Sequence, residues 1–229
     1  MKLPGTICSV DIIASRNMTP DEKNAYLSLH GLTVQNTYRD GAKSAPYRYE
    51  GVLRKYLDAV VVILTATIDG ETCVCLRTCI RPPLCMRRTL TLPQPDNIDR
   101  FALLELPAGL IEDSDEGETG LFRRASEEAL EEAGYQVPAT AFNRVGSAPF
   151  NTPGVMPERC FFVKACIEDV RDRITPMGDG SPVEDGGEIT WLPLKKAIVM
   201  CDQGEIVDMK TELGLRRISE SLKETSEQR

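Results

Sequence analysis

Net positive charge is missing from this chain. Its 27 Lys and Arg are outnumbered by 35 Asp and Glu, giving a formal charge of −8 and a pI near 4.9. That balance argues against a nucleic-acid surface, which needs basic patches. An acidic protein that binds a phosphorylated ligand must supply local arginines and metal ions to overcome its own field. No apolar run approaches the length of a membrane span, and the first residues lack the apolar core of a signal peptide, so a cytoplasmic protein with no membrane partner is expected. Histidine is nearly absent: His30 is the only one, and a structural or incidental role is expected for it. Paired CxxC knuckles are lacking as well. The eight cysteines are therefore read as free thiols that behave as small buried hydrophobes, Cys73, Cys75 and Cys79 alternating along one apolar stretch. The chain carries no internal repeat.

What remains is an ordinary globular composition, 41% hydrophobic and 27% charged, with length for one large domain or a domain with an appended arm. Residues 1–50 are polar with little sustained periodicity, and are read as an N-terminal arm holding a helix over Pro20–Leu29 and a strand over Leu32–Tyr38. The main domain is expected over residues 51–223, with a polar tail at 224–229. Within it, Leu57–Ala66 and Thr72–Ile80 read as buried strands, and Asp69-Gly70 between them is a hairpin signal. Pro82-Pro83 closes the second strand, and Met86–Asp99 reads as an irregular loop. Phe101–Leu106, Arg144–Ser147, Cys160–Ile167 and Glu188–Leu192 read as further strands. Helices are expected over Gly120–Ala133, Leu194–Cys201 and Lys210–Lys223, and Arg173–Gly187 reads as a long acidic, glycine-rich loop. This order predicts an α/β fold with mixed β-sheets between helices.

The most informative stretch is Glu127-Glu128-Ala129-Leu130-Glu131-Glu132-Ala133-Gly134. On a helix, Glu128, Glu131 and Glu132 fall at i, i+3 and i+4, so their side chains converge on one face. Like charges at that spacing destabilise an isolated helix by a few tenths of a kcal/mol per pair. A bound cation offsets that cost, and clustered carboxylates are what hard divalent ions prefer. The alternative is a solvated acidic face, the common reading of a glutamate run. Gly134 suits the left-handed position that closes such a helix.

Leu104-Glu105-Leu106-Pro107-Ala108-Gly109 precedes this helix, separated from it by an acidic loop that runs to Gly117-Glu118. The combination resembles the Nudix box, whose pattern is Gly, five residues, Glu, seven residues, then Arg-Glu-aliphatic-any-Glu-Glu-any-Gly-aliphatic. Eight residues separate Gly109 from Glu118 here, and eight more separate Glu118 from Glu127. Glu127 stands where the family has the Arg that pairs with and orients the metal-binding carboxylates. Arg124, one turn before Glu128, is a candidate replacement; Arg123 bears the same relation to Glu127. Outside the box, Arg77-Thr78-Cys79-Ile80-Arg81-Pro82-Pro83, the Glu105–Gly109 segment, Ala148–Glu158 with its Pro153-Gly154 turn, and Asp208–Thr211 resemble the ADP-ribose and nucleotide-sugar pyrophosphatases of that family.

The resemblance implies the Nudix α/β/α sandwich and a metal-dependent hydrolysis of the pyrophosphate bond of ADP-ribose or a related nucleoside diphosphate sugar. The products are a nucleoside monophosphate and a sugar phosphate. It implies Mg²⁺ or Mn²⁺ held by Glu128, Glu131, Glu132 and the carbonyl of Ala108, with Glu112 and Glu118 as further candidates. Arg81, Glu105 and Glu158 fall at substrate-binding positions, and the general base falls in the late acidic loop, at Glu184 or Asp185. Glu188 lies close to the following strand. A homodimer with an N-terminal part reaching the partner is implied as well. Two alternatives stand beside this reading: the same fold acting on UDP-sugars, GDP-mannose or a dinucleotide, and a catalytically silent nucleotide-binding sensor, for which Glu127 is the support.

Overall fold

The computed structural model describes residues 7–19, 25–96, 98–176 and 187–227. By internal packing the chain divides into two units, one running up to Leu57 and adding Phe150–Arg159, the other comprising Asp58–Pro149 and the chain from Cys160 onward.

In the smaller unit β1 (Ile7–Asn17), β2 (Leu27–Tyr38) and β3 (Tyr47–Arg54) form an antiparallel sheet in that order. Leu27–Leu29 therefore start a strand and do not end a helix, pairing with Val52–Arg54; Ala25 and Tyr26 before them are not helical either, and residues 20–24 of the expected helix lie outside the described residues. β1 was not anticipated, because ICSVDIIASRN shows no strict alternation.

The larger unit is built on β4 (Ala59–Ile68). Its run AVVVIL is apolar at consecutive positions, the pattern of a strand covered on both faces, and Val60 through Leu64 have no exposed surface. Asp69 and Gly70 take positive φ of 50° and 80°, as a two-residue hairpin turn requires, and lead into β5 (Glu71–Ile80). Pro82 and Pro83 end that strand and open a 3₁₀ turn over Pro82–Thr89, within and before the expected loop. β6 (Ala102–Glu105) pairs with β5, and β7 (Ala108–Leu110) pairs with β4. After α1 (Gly117–Glu131) come β8 (Asn143–Arg144) and, in the smaller unit, β9 (Phe150–Thr152), antiparallel to the first residues of β10 (Met156–Cys166). Cys160–Cys166 of β10 lie parallel to Ala59–Thr65 of β4, which makes the sheet mixed. β11 (Ile189–Pro193), α2 (Leu194–Asp202) and α3 (Met209–Glu227) complete the chain, and the main path of the sheet runs β11-β5-β4-β10-β8.

Alternation along β4 sorts its side chains to two cores. Val60, Val62 and Leu64, with Cys75, pack under Leu121, Ala125 and Ala129 of α1. Val61 and Ile63, with Val74 and Leu76, pack under Leu194 and Ala197 of α2 and Leu215 and Ile218 of α3. The result is the expected α/β/α sandwich. Among the described residues no helix is long and apolar enough to cross a membrane.

Candidate active site

Ala125, Ala129 and Ala133 recur every fourth residue and are fully buried. Their small side chains let the end of α1 lie close to the sheet. Glu128 and Glu132, one turn apart and each only 8% exposed, are thereby brought against β7. Glu132 Oε2 accepts from the Ala108 N–H at 2.7 Å. Glu128 rests on Gly109: a Cβ built there would stand 1.7 Å from Glu128 Oε1, so only glycine leaves room for the carboxylate. Gly134, with φ of 77°, supplies the left-handed stop beyond the helix.

A cation reaches this pair from the sheet. Arg77 lies in the middle of β5 on the face shared with Cys75, under α1. It is 5% exposed, and its Nη1 donates to Glu132 Oε1 at 2.6 Å. Sequence reasoning assigned Arg77 no role. The available signal was its position inside an otherwise apolar strand, where a charged side chain is buried only with a partner.

Glu131, by contrast, is exposed. Glu112 pairs with Arg124 Nη2 at 3.3 Å, and Glu118 pairs with Arg144 at 3.0 Å. Among the described residues no group of three or more His, Cys, Asp or Glu side chains is arranged to hold a metal ion. What the helix offers is two buried carboxylates facing the Ala108-Gly109 backbone. That donor set fits Mg²⁺, which is held through one or two carboxylates and completes its shell with water and substrate phosphate.

The loop before α1 has its own anchor. Asp115, its side chain fully buried, accepts from Arg123 Nη2 at 2.8 Å, Arg124 Nε at 2.9 Å and the Glu112 N–H at 2.9 Å. Burial alone would raise its pKa, but these donors outweigh it and hold the carboxyl below its ordinary value. Burial likewise opposes the charge on Arg124, and Asp115 overcomes it. Arg124 also reaches Glu127 at 3.2 Å, with Arg123 at 4.0 Å from the same residue. Both arginines are thus engaged with the loop and Glu127, while the cation on Glu132 is Arg77.

Glu105, 1% exposed, sits at the end of β6 beneath two cations. Arg81 grips it with Nε at 2.8 Å and Nη2 at 2.9 Å, and Lys210 donates to Oε2. Lys210 also pairs with Asp208 at 3.0 Å, and Asp208 caps the start of α3 by accepting from the Thr211 N–H. Burial pushes Glu105 upward, but Arg81 and Lys210 win and keep it below the usual value. Burial would lower Lys210, yet Asp208 and Glu105 raise it. Arg81 itself is held charged by Glu105, and its side chain is 45% exposed. Any effect of Glu105 on a ligand therefore passes through the two cations that cover it, of which Arg81 is the more exposed. The nearby Cys79 thiol is pushed up to about 12, first by burial and then by the charges of Glu132 and Glu105, which leaves it protonated. Cys73, Cys75, Cys79 and Cys160 are buried free thiols, as expected, whereas Cys166 is exposed.

Glu158 belongs to the smaller unit, where it pairs with Arg54 and accepts from Asn151 Nδ2 at 3.2 Å. Glu184 and Asp185 lie outside the described residues. Glu188 is exposed, and its carbonyl accepts from the Thr78 N–H at 2.9 Å, tying the end of that loop to β5. A cavity of about 610 Å³ has none of these residues in its lining; it is bordered by Leu84, Leu103 and Val207 and by the exposed pairs Arg87–Asp96 and Arg88–Asp99.

No family model and no curated protein sequence matches this chain. Solved structures do. The crystal structure of an ADP compounds hydrolase superposes with a TM-score of 0.65 over 96% of this chain and 98% of that one, at 13% identity. The fold is therefore that hydrolase's mixed α/β fold, the one implied by the resemblance to the Nudix family.

Proposed function

We propose that the chain hydrolyses the pyrophosphate bond of ADP-ribose or a related nucleoside diphosphate sugar, with Mg²⁺ or Mn²⁺, to a nucleoside monophosphate and a sugar phosphate. The observation that carries this reading is the burial of Glu128 and Glu132 side by side against Ala108-Gly109, in a fold shared with a hydrolase of ADP compounds. Glu132 is already partnered by Arg77 and the Ala108 N–H, and two carboxylates gathered at one place on a helix face are a donor set that suits a divalent ion.

In this reading Glu128 and Glu132 hold the ion, with the Ala108 carbonyl as a further donor. When bound, the ion neutralises the diphosphate and acidifies water. The Ala108 N–H and Arg77 fix both oxygens of Glu132, so the carboxylate meets its ligand already oriented. Arg81, braced by Glu105, presents a guanidinium to a substrate phosphate. Glu184 or Asp185 takes the proton of the attacking water. Exposed apolar side chains on the three-stranded sheet, Ile12, Ile13, Leu27, Leu29 and Tyr47 among them, support a homodimer.

The test is phosphate release from ADP-ribose, UDP-glucose and GDP-mannose in a coupled phosphatase assay with Mg²⁺. Turnover of ADP-ribose that is lost in Glu128→Gln supports the proposal; no turnover of any of the three overturns it.

A further inference from the structure

We propose that Arg77 is a positioning residue for Glu132, supplied from β5 in place of the helix arginine, and that position 187 is glycine because the Arg77 guanidinium fills the space of a side chain. The inference rests on the reading of Glu128 and Glu132 as metal carboxylates.

The helix position from which an arginine would orient the carboxylates is occupied by Glu127, and Glu127 is engaged by Arg124 and Arg123. Glu132 is nonetheless gripped on both oxygens, at 2.6 Å by Arg77 Nη1 and at 2.7 Å by the Ala108 N–H. These donors come from β5 and β7, so the plane of the carboxylate is set by the sheet. Arg77 is well placed for that task. Its backbone is paired on both sides, to Glu105 of β6 and Ile189 of β11, which fixes its Cα.

The guanidinium has a seat of its own. A Cβ on Gly187 would lie 2.7 Å from Arg77 Nε, 2.9 Å from Nη2 and 3.0 Å from Cζ. The next residue is tied to β5, the Glu188 carbonyl accepting from the Thr78 N–H. The φ of Gly187 is not in the positive region, so alanine there meets no backbone strain. The three atoms nearest the added methyl all belong to the Arg77 guanidinium, and that group, as the far end of a flexible side chain, is what moves.

The experiment is Mn²⁺ titration followed by electron paramagnetic resonance on wild type, Arg77→Ala, Arg77→Lys, Gly187→Ala and the Arg77→Ala/Gly187→Ala double variant, each first shown to unfold cooperatively in urea. Loss of a residue that orients a metal ligand lowers affinity about 10–100-fold, and that weakening is expected for Arg77→Ala, with partial rescue by Arg77→Lys. Gly187→Ala is expected to weaken Mn²⁺ binding on its own and to add nothing in the double variant, because both changes act on one guanidinium. Wild-type or tighter affinity in folded Arg77→Ala overturns the proposal, tighter binding showing a mere competitor. So does full additivity in the double variant. If Arg77→Ala does not fold, Gly187→Ala decides alone, and unchanged affinity there overturns it. Wild type that binds no Mn²⁺ removes the metal reading itself and the proposal with it.

Discussion

Arg124 donates from Nε to Asp115 Oδ2 at 2.9 Å, tying the buried side of α1 to the loop that precedes it. The same carboxylate takes a bond from Arg123 and one from the loop's own backbone at Glu112. A loop longer than the family pattern is thus held by one buried aspartate between two arginines. Removing either half leaves the other charged in a poorly hydrated place.

Asp115→Asn is expected to destabilise the protein by roughly 3–5 kcal/mol at neutral pH, as when one partner of a buried pair is lost. The sign of the pH dependence follows from the depressed pKa. The unfolded chain binds a proton at Asp115 before the folded one does, so this stabilisation is complete above the ordinary value of 3.8 and is lost as pH falls through the lower folded value. Urea midpoints at pH 7, 5, 4 and 3 should therefore show wild type and Asp115→Asn converging at the acid end. A constant gap across that series would mean the network is not what stabilises the loop.

Arg124→Ala should cost more stability than Arg123→Ala, since the Arg124 side chain is 14% exposed and that of Arg123 is 50%. Thermal midpoints compare the two directly. Equal small shifts would place Arg124 among surface charges, whose pairs contribute little.

Glu132→Gln is expected to abolish hydrolysis and also to lower stability, because it breaks the buried ion pair between Glu132 and Arg77. Like-charge crowding along the helix alone would predict no loss of stability or a gain of a few tenths. The pair with Arg77 decides between the two. Denaturation of metal-free protein measures it, and the combination Glu132→Gln with Arg77→Met should recover part of the loss.

These comparisons show what the sequence made legible. The apolar run of β4, the Asp69-Gly70 turn and the final helices carry local signals, so their positions could be read within a few residues. Glu128 and Glu132 were legible because helical spacing alone puts them on one face. Glu131 was not separable from them, since a spacing of three or four does not say which side the sheet will cover, and the structure leaves Glu131 exposed. Arg124 was favoured as the orienting cation because it is near in sequence. Arg77 was missed because its partner is 55 residues away, a distance that periodicity does not reach. β1 escaped for a different reason: residues 11–17 of the strand are all exposed, so no apolar–polar alternation marks it.

Glu105→Gln tests the brace under Arg81. It should raise KM for substrate more than it lowers kcat, since Arg81 loses its orientation but no reacting group is removed. The stability contributed by Glu105 is present above the ordinary carboxylate value of 4.5 and lost as pH falls through its depressed folded value. That contributed by Lys210 is present below 10.5 and lost as pH rises through its raised one. Both limbs of the stability profile should flatten in the variant. A fall in kcat with KM unchanged would instead place Glu105 at the reacting centre.

Gly109→Ala is the sharpest test of the site, because the geometry permits no middle course. A methyl group on Gly109 would stand 1.7 Å from Glu128 Oε1 and 1.9 Å from its carboxyl carbon, far inside contact distance. Either the Glu128 side chain turns away or the end of α1 lifts from β7. The side chain is the cheaper to move, since the clashing atoms are the far end of a flexible chain, whereas lifting the helix would open the packing of Ala125 and Ala129 against β4. The expected outcome is a folded protein whose urea midpoint is only slightly reduced and whose Mn²⁺ affinity has fallen as far as that of Glu128→Gln. Adding Gly109→Ala to Glu128→Gln should then change affinity little. Wild-type Mn²⁺ affinity in Gly109→Ala would show that Glu128 does not bind the ion from the position where the structure places it.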